Sequence, residues 1–320
     1  MSKVVQCVPN FSEGRDQQKI DDIVSVLQNK DGFKCISVEP DGDYNRTVVT
    51  LLGDPQAIIN ALPVFVEKVL EHIDMNQQSG QHPRMGAVDV IPFIPISGVT
   101  MEDCVRYAHD TASIIWETLK IPSFLYAEAA QTRLRRKLPT IRKGEFEGMK
   151  QKIQQEKWHP DYGNPEIHPT FGVIGIGARI PLIAYNIDLA TNDLNVAKKI
   201  SRAIRFSSGG FRFIQAGPAE LESRGHVQVT MNILDYKKNP IYRILETVKM
   251  EAARYHVDVP SCELVGLAPK ATFTNSLKYY YEKENKTWPK DISFAQITQD
   301  AKTYMGFRDL DPLKIIEANM

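Results

Sequence analysis

The sequence predicts an α+β protein made of two tandem ferredoxin-like (split-βαβ) subdomains with a helical C-terminal extension. Its 320 residues are more than one small hydrophobic core usually accommodates. Hydrophobic patterns near the start of the chain follow the order β-α-β-β-α-β, and the same order recurs from Ile180. We therefore expect an N-terminal subdomain over residues 1–178 and a C-terminal subdomain over residues 179–320.

The helices of the first copy are predicted from apolar spacing and from their start signals. Asp54 and Pro55 combine an N-cap acid with a proline at the first helical position, and the apolar face that follows extends to Ile73. Residues 100–103 resemble a capping box and start another helix, which ends near Lys120. An earlier helix has Ile20, Ile23, Val24 and Leu27 on one face, and strands are predicted at residues 4–9, 33–38, 47–52, 88–96 and 124–127.

The middle of the chain departs from this order. Residues 134–155 form a basic, mostly helical excursion, and residues 158–172 form a Pro- and Gly-rich loop. So long a loop in a compact chain is usually functional or disordered, and its aromatic residues argue against disorder. Gly172, Gly175 and Gly177 do not follow the GxGxxG order, so we expect a bulge or a close backbone approach there. A solvated helix face is predicted for the basic residues Arg133, Arg135, Arg136, Lys137, Arg142 and Lys143.

The second copy repeats the pattern with little residue identity to the first. Residues 227–233 alternate strictly between apolar and polar side chains, which is typical of a half-buried antiparallel strand. Residues 270–320 are rich in Tyr and Lys and are predicted to form the helical extension. The other strands are predicted at 180–189, 211–217 and 262–267, and the helices at 196–204 and 241–255.

Composition disfavours several classes of protein. The 39 basic and 39 acidic residues balance, so no global field favours nucleic acid or an anionic membrane. The sequence contains no signal peptide pattern and no apolar run of about 20 residues that would span a bilayer. Its four cysteines are isolated, as in reduced cytoplasmic proteins, and the sequence lacks HExxH, HxxxH and CxxC spacings. We therefore expect a cytoplasmic protein without a bound metal.

His82 is the leading candidate for chemistry. It lies in a loop with Pro83 and Arg84, directly before the apolar run of residues 88–96. A histidine can accept and return a proton within one turnover, and Arg84 has the fork geometry that binds a carboxylate. Glycines at positions 80 and 86 allow tight turns or a close ligand approach. From these residues alone, an ordinary surface histidine remains the alternative.

Two further segments are candidates for the same site. The turn after the second strand carries Glu39, Asp41 and Asp43, and strand ends lie close together in a split-βαβ unit. A carboxylate there can orient or charge-stabilise an imidazole in a neighbouring loop, although a solvated turn has the same composition. Residues 10–14 form a turn whose backbone amides and small side chains can contact a ligand, or which only connects two elements.

Several blocks of the sequence resemble the glutamate formimidoyltransferases (formiminotransferases) of histidine degradation. The blocks span almost the whole chain, so the resemblance is specific. They are CVPNFSEGR (7–15), NRTVVT (45–50), GQHPRMGAVDVIPFIPISGVTMEDC (80–104), LYAEAA (125–130), WHPDYG (158–163), GARIPLIAYNIDL (177–189) and ELVGLAP (263–269).

The resemblance implies an activity. Family members transfer the formimidoyl group of N-formimidoyl-L-glutamate to tetrahydrofolate, which gives 5-formimidoyltetrahydrofolate and glutamate. It also implies two α/β subdomains with the folate held between them, tetrahydrofolate as co-substrate, and a homodimer. Vertebrate members carry a fused cyclodeaminase domain; the end of this chain at Met320 predicts the stand-alone bacterial type.

The resemblance also assigns residues. The family's catalytic histidine corresponds to His82, within the Gln81–Pro83 motif, and its supporting acid to Glu39, where relatives often have aspartate; Asp41 is a possible substitute. Phe171 is expected to flank the pterin, and Arg46 or Arg84 to receive substrate carboxylates. The residues expected to bind the folate are Asn10, Gly163, Asn164, Pro165, Glu166, Ile167, His168, Pro169, Thr170, Phe171 and Gly172, although residues 164–170 depart from the family pattern.

Two other functions remain open at this stage. The same site could serve a glutamate formyltransferase or an enzyme that processes 5-formyltetrahydrofolate, because C=NH and C=O donors are nearly isosteric. The second alternative is a non-catalytic folate- or anion-binding protein. The motif around His82 and the acidic turn argue against it, because a pure binder needs no proton shuttle.

Overall fold

The computed structural model describes residues 3–42, 44–221 and 225–320. The chain divides into two compact units, Met1–Arg179 and Ile180–Met320, and each has its own hydrophobic core. Both units combine helices with a β-sheet, so the protein is α+β. The predicted acidic residue Asp43 lies outside the described residues.

The first unit contains seven strands and five α-helices in its described part. The start signals read from the sequence are confirmed: Asp54 caps one helix through the backbone N–H groups of Gln56 and Ala57, and Thr100 and Asp103 form a capping box on another. The strands are β1 (Val4–Cys7), β2 (Asn10–Phe11), β3 (Phe33–Asp41), β4 (Arg46–Gly53), β5 (Val88–Ser97), β6 (Ser123–Ala127) and β7 (Ile174–Ala178). The helices are α1 (Gln17–Ser25), α2 (Pro55–His72), α3 (Met101–Leu119), α4 (Leu138–Arg142) and α5 (Glu145–Lys152).

These strands form one mixed sheet. Strand β3 pairs with β4, and both β1 and β2 lie between β4 and β5 in antiparallel pairing. Strand β7 then runs parallel between β5 and β6. The glycine-rich run that starts at Gly172 was expected to form only a bulge or a close backbone approach. This expectation is corrected, because Ile174–Ala178 forms a central strand whose isoleucines are buried in the core. Its glycines still allow close packing, because a Cβ on Gly175 or Gly177 would clash with a neighbouring side chain.

The two faces of this sheet are covered differently. Helices α1, α2 and α3 pack on one face and bury the main core of the unit. Over β5, β6 and β7, the other face is covered by α4 and α5 around a smaller core that includes Val90, Phe124 and Ile141. Glu39, Val48 and Asn10 are paired in register across β3, β4 and β2, so their side chains share one face of the sheet.

The second unit has four described strands in the order β11-β8-β10-β9, all antiparallel. Strand β9 begins three residues later than predicted, after Phe213, whose φ of 70° interrupts an extended backbone. The C-terminal helices are integral to the core, because Phe273, Leu277, Ile297 and Met305 are buried in it. The elements are β8 (Ile183–Leu189), β9 (Ile214–Leu221), β10 (His226–Ile233), β11 (Cys262–Val265), α6 (Leu194–Ile204), α7 (Ile241–Ala253), α8 (Lys270–Lys283) and α9 (Phe294–Met305).

Candidate active site

The loop between α2 and β5 turns His82 inward. The side chain of His82 is only 8% exposed, although its neighbours Gln81 and Pro83 are both exposed. Its backbone N–H donates to the carbonyl oxygen of Tyr44 at 3.4 Å, and the two rings meet edge to face at 6.4 Å. Gly80 permits this docking, since a Cβ at that position would lie 2.4 Å from the same carbonyl oxygen. The loop therefore rests on the connection between β3 and β4.

The imidazole of His82 is held in its neutral form. Burial is the largest cause, and the positive charges of Arg46, Arg142 and Arg84 add to it; together they lower the pKa of His82 to about 3. Three arginines thus supply the charges that lower this pKa. A neutral imidazole is a proton acceptor, which is the state that a general base needs at the start of a reaction.

Arg84 fastens the loop to α5. Its guanidinium donates to the carboxylates of Glu145 at 2.9 Å and Glu147 at 2.7 Å, and its Nε donates to Gln78 at 2.8 Å. The expectation that Arg84 receives a substrate carboxylate is therefore not supported, because two protein carboxylates already occupy its fork.

Asp89 and Arg142 form a buried ion pair beside the histidine. The Asp89 side chain is 1% exposed; one of its oxygens accepts from the backbone N–H of Met85 at 3.1 Å and the other pairs with Arg142. Burial raises the pKa of Asp89, whereas the neighbouring guanidinium of Arg142 lowers it. The prediction of a solvated face at Arg142 was wrong. A single acid within the apolar run of residues 88–96 was the signal in the sequence that could have revealed the pair.

Lys152 holds the end of α4, which carries Arg142. Its ammonium group donates to the carbonyl oxygens of Thr140, Ile141 and Lys143, at 2.8, 2.6 and 3.0 Å. Burial lowers the pKa of Lys152 to about 8. These contacts satisfy carbonyl groups that a helix end leaves without intrahelical partners, so a five-residue helix has a fixed position.

Arg46 completes the group of cations around His82. It begins β4 opposite Asp41, and its guanidinium carbon lies 5.6 Å from the ring centre of Tyr44. Burial lowers the pKa of Arg46, and the carboxylate of Asp41 opposes that effect. Asp41 also accepts a hydrogen bond from the backbone N–H of Tyr44 at 2.9 Å. From the sequence, Arg46 was predicted only as one of two candidates for binding a substrate carboxylate.

Residues 163–172 lie directly against the histidine loop. The carbonyl oxygen of Thr170 accepts from the backbone N–H of Met75 at 2.8 Å, and that of Phe171 accepts from Ala87 at 2.8 Å. Gly86 sits between the two segments, where a Cβ would lie 2.2 Å from the carbonyl oxygen of Val173. The structure thus brings the loop that carries His82 into contact with the predicted folate segment.

Within this segment, side chains differ in what they offer a ligand. Asn164, Pro165, Glu166 and Pro169 are exposed. The ring of Phe171 is fully buried in the core of the unit, so it presents no face on which a pterin could stack. The backbone N–H of Phe171 donates to Nδ1 of His168 at 3.2 Å, and burial lowers the pKa of His168. Gly163 and Gly172 have φ angles of 112° and 87°, which favour glycine.

The described residues also bear on two other features, a metal site and a membrane-spanning helix. Among them, no cluster of three or more His, Cys, Asp or Glu side chains is arranged to hold a metal ion. No described helix is both long and apolar enough to cross a membrane.

The neutral state of His82 predicts a loss of stability in acid. An unfolded chain protonates its histidine near pH 6.5, whereas folded His82 resists protonation down to about pH 3. The unfolded state therefore binds the extra proton as the pH falls, and folding weakens across the interval between these two values. On going from pH 7 to pH 5, we expect His82 to lower the free energy of unfolding by about 2 kcal/mol.

Urea denaturation of the wild type and of His82→Gln at both pH values measures this contribution. The loss of stability on going to pH 5 should be smaller in the variant by that amount. His159→Gln, which changes an exposed histidine, is the control and should retain the wild-type dependence. Equal pH dependence in all three proteins would contradict a neutral, buried His82.

Comparison with known proteins identifies the class to which this fold and site belong. Residues 4–179 match the formiminotransferase domain, N-terminal subdomain, and residues 184–318 match the formiminotransferase domain. The chain belongs to the formiminotransferase family, which consists of one-carbon transferases, and the resemblance read from the sequence is confirmed.

Individual relatives agree with this assignment. The chain is 43% identical over 292 residues to a glutamate formimidoyltransferase of Streptococcus pyogenes serotype M1, covering 91% of this chain and 98% of that protein. It is 43% identical over 281 residues to a glutamate formimidoyltransferase of Thermoplasma acidophilum, covering 87% and 92%. It is also 37% identical over 291 residues to the formimidoyltransferase-cyclodeaminase of Gallus gallus, covering 89% of this chain and 53% of that longer protein.

Proposed function

We propose that this protein transfers the formimidoyl group of N-formimidoyl-L-glutamate to N5 of tetrahydrofolate, giving 5-formimidoyltetrahydrofolate and L-glutamate. The observation that carries the proposal is 43% identity to glutamate formimidoyltransferases along nearly their whole length. Tetrahydrofolate is the co-substrate in this proposal. The reaction needs proton transfers and bond exchange at one carbon, so no metal is required.

His82 serves as the general acid and base in this reaction. The N5 nitrogen attacks the formimidoyl carbon and forms a C–N bond, while its proton passes to the neutral imidazole. As the tetrahedral intermediate collapses, the bond to the glutamate nitrogen breaks and the imidazolium returns the proton to that leaving nitrogen. Support for this role comes from the buried, neutral state of the ring and from the backbone contacts between its loop and residues 163–172. One histidine thus serves both steps.

The remaining predicted residues take supporting roles in the proposal. Glu39 orients or charge-stabilises the imidazolium, with Asp41 as the alternative, and the register places Glu39 on the same sheet face as Asn10. Asn10 contacts the folate. In the segment Gly163–Gly172, the exposed side chains and the backbone bind it, whereas the ring of Phe171 shapes the loop from inside the core.

We also propose the division into subdomains 1–178 and 179–320, each built on a ferredoxin-like unit. The separation of contacts near Arg179 and the strand order β11-β8-β10-β9 support this proposal. The strands β3, β4, β1 and β5 follow the equivalent order in the first unit. A homodimer and a cytoplasmic location follow from the family resemblance alone.

A direct assay tests the function. The purified protein is incubated with tetrahydrofolate and N-formimidoyl-L-glutamate, and 5-formimidoyltetrahydrofolate is followed by its absorbance. Product formation supports the proposal. Product with N-formyl-L-glutamate but none with the formimidoyl donor would replace it with a formyltransferase. Folate binding by calorimetry without turnover of either donor would instead indicate a binding protein.

A further inference from the structure

Two guanidinium groups beside His82 have donors that lack partners. The Nε atoms of Arg46 and Arg142 are both buried, and neither makes a hydrogen bond within the described residues. A buried donor without an acceptor costs free energy, and an acceptor supplied from outside the protein removes that cost. The two side chains approach from different elements, because Arg46 begins β4 and Arg142 ends α4.

The charges around these two groups are close enough to act on one another. The positive charge of Arg142 lowers the pKa of Arg46, and the carboxylates of Asp41 and Asp89 raise it. Asp89 is bound to Arg142 and to the Met85 backbone, while an oxygen of Asp41 is bound to the Tyr44 backbone. An anion bound to these guanidinium groups would supply the missing acceptor.

The structure keeps both arginines in place without a ligand. Arg142 is anchored by its ion pair with Asp89, and the helix end that carries it is fixed by Lys152. Arg46 lies over the ring of Tyr44, whose edge also meets His82. A site that is ordered in advance spends less binding energy on fixing side chains, so it suits recognition of a small charged group.

We propose that Arg46 and Arg142 bind the α-carboxylate of the amino acid that donates the one-carbon group, and so position its reacting carbon beside His82. This inference rests on the proposed function, which does not specify the residues that bind the carboxylate of the donor. Arg84 is excluded from this pair because Glu145 and Glu147 already occupy its fork.

Bond connectivity favours the donor over the folate as the source of the carboxylate. In an N-acylated amino acid, the α-carboxyl carbon is two bonds from the nitrogen that leaves. In a folate, the glutamate carboxylates are separated from N5 by the whole aminobenzoyl group. The imidazole exchanges protons with N5 and with the leaving nitrogen. A cationic side chain close to the imidazole is therefore nearer to the α-carboxylate of the donor than to the glutamate carboxylates of the folate.

Arg46→Gln is the primary test. Loss of a charge-assisted contact should raise the KM for N-formimidoyl-L-glutamate about tenfold to a hundredfold, and it should leave the KM for tetrahydrofolate within about twofold. Calorimetry with N-formyl-L-glutamate, in the absence of folate, should show the same loss of affinity. Arg106→Gln is the matched control, since Arg106 also lies over a tyrosine ring and near an acid but is on the exposed side of α3.

A second variant addresses the buried partner. Arg142→Met alone would strand Asp89, so it is combined with Asp89→Asn, which keeps an oxygen for the Met85 N–H group. The double variant should show the same selective rise in the donor KM. Thermal melting checks that both variants are folded. Arg46→Lys should recover part of the donor affinity, because the charge returns without the fork.

The outcomes separate this inference from the proposed function. Unchanged donor KM and unchanged N-formyl-L-glutamate affinity in folded Arg46→Gln would overturn the carboxylate site while the transferase remains. A selective rise in the KM for tetrahydrofolate, which disappears with tetrahydropteroate lacking glutamate, would assign the arginines to the folate and overturn it too. Arg46-dependent binding of N-formyl-L-glutamate without turnover of either donor would support the site and refute the transferase.

Discussion

His82→Ala is expected to lower kcat by about 10²–10⁴-fold, which is the usual contribution of a positioned general acid–base group. The physical reason is that N5 of the folate must lose a proton and the departing glutamate nitrogen must gain one. Without an imidazole, water must carry both protons in a site where the structure holds the ring only 8% exposed. The measurement is steady-state turnover followed through the absorbance of 5-formimidoyltetrahydrofolate.

Two controls separate this loss from misfolding. The variant should still bind 5-formyltetrahydrofolate with nearly unchanged affinity, because the backbone contacts between residues 163–172 and the histidine loop do not involve the ring. His159→Ala, which removes an exposed imidazole, should turn over at the wild-type rate. A His82→Ala protein that retains wild-type kcat would eliminate the proton-transfer role.

Asp89→Ala is expected to destabilise the protein by about 3–5 kcal/mol, the range found when one partner of a buried ion pair is removed. The change leaves the guanidinium of Arg142 without its carboxylate and the backbone N–H of Met85 without its acceptor. Urea denaturation followed by circular dichroism measures the free energy of unfolding. Met85 belongs to the histidine loop, so the loss of its contact should lower turnover as well.

The matched control is Glu128→Ala, which breaks an ion pair with Arg136 on the surface. Both of those side chains are about half exposed, so the loss should stay below about 1 kcal/mol. Combining Asp89→Ala with Arg142→Met should recover part of the stability, because no buried charge is then left alone. Equal effects of the Asp89 and Glu128 changes would show that the Asp89–Arg142 pair is not buried in solution.

Local signals allowed much of the fold to be predicted. The helix starts at Asp54 and Thr100 depend on side chains that bond to backbone groups within three residues, so they are visible in the sequence. Strand β7 was missed because Gly175 and Gly177 alternate with its two isoleucines, and glycine is a poor indicator of a strand. Its identity depends on parallel neighbours that lie far away along the chain.

The candidate site was predictable only in part. His82 stood out because it lies in a glycine- and proline-rich loop before an apolar run. The cations around it did not, because Arg142 meets Asp89 across 53 positions and Arg46 comes from a separate strand. A basic residue near the end of a short helix has the same local pattern whether it is solvated or buried. The choice between the two depends on tertiary contacts.

The position of β7 has a consequence for how this unit acquires its function during folding. Strand β7 is the last strand of the first unit, yet it pairs between β5 and β6 in the sheet. The pairing of β5 with β7 spans α3, β6, α4 and α5 along the chain, and pairings so distant in sequence form slowly. The Val173 backbone that contacts Met85 and Gly86 directly precedes this strand. We expect the histidine loop to become ordered late, in the same step that docks β7.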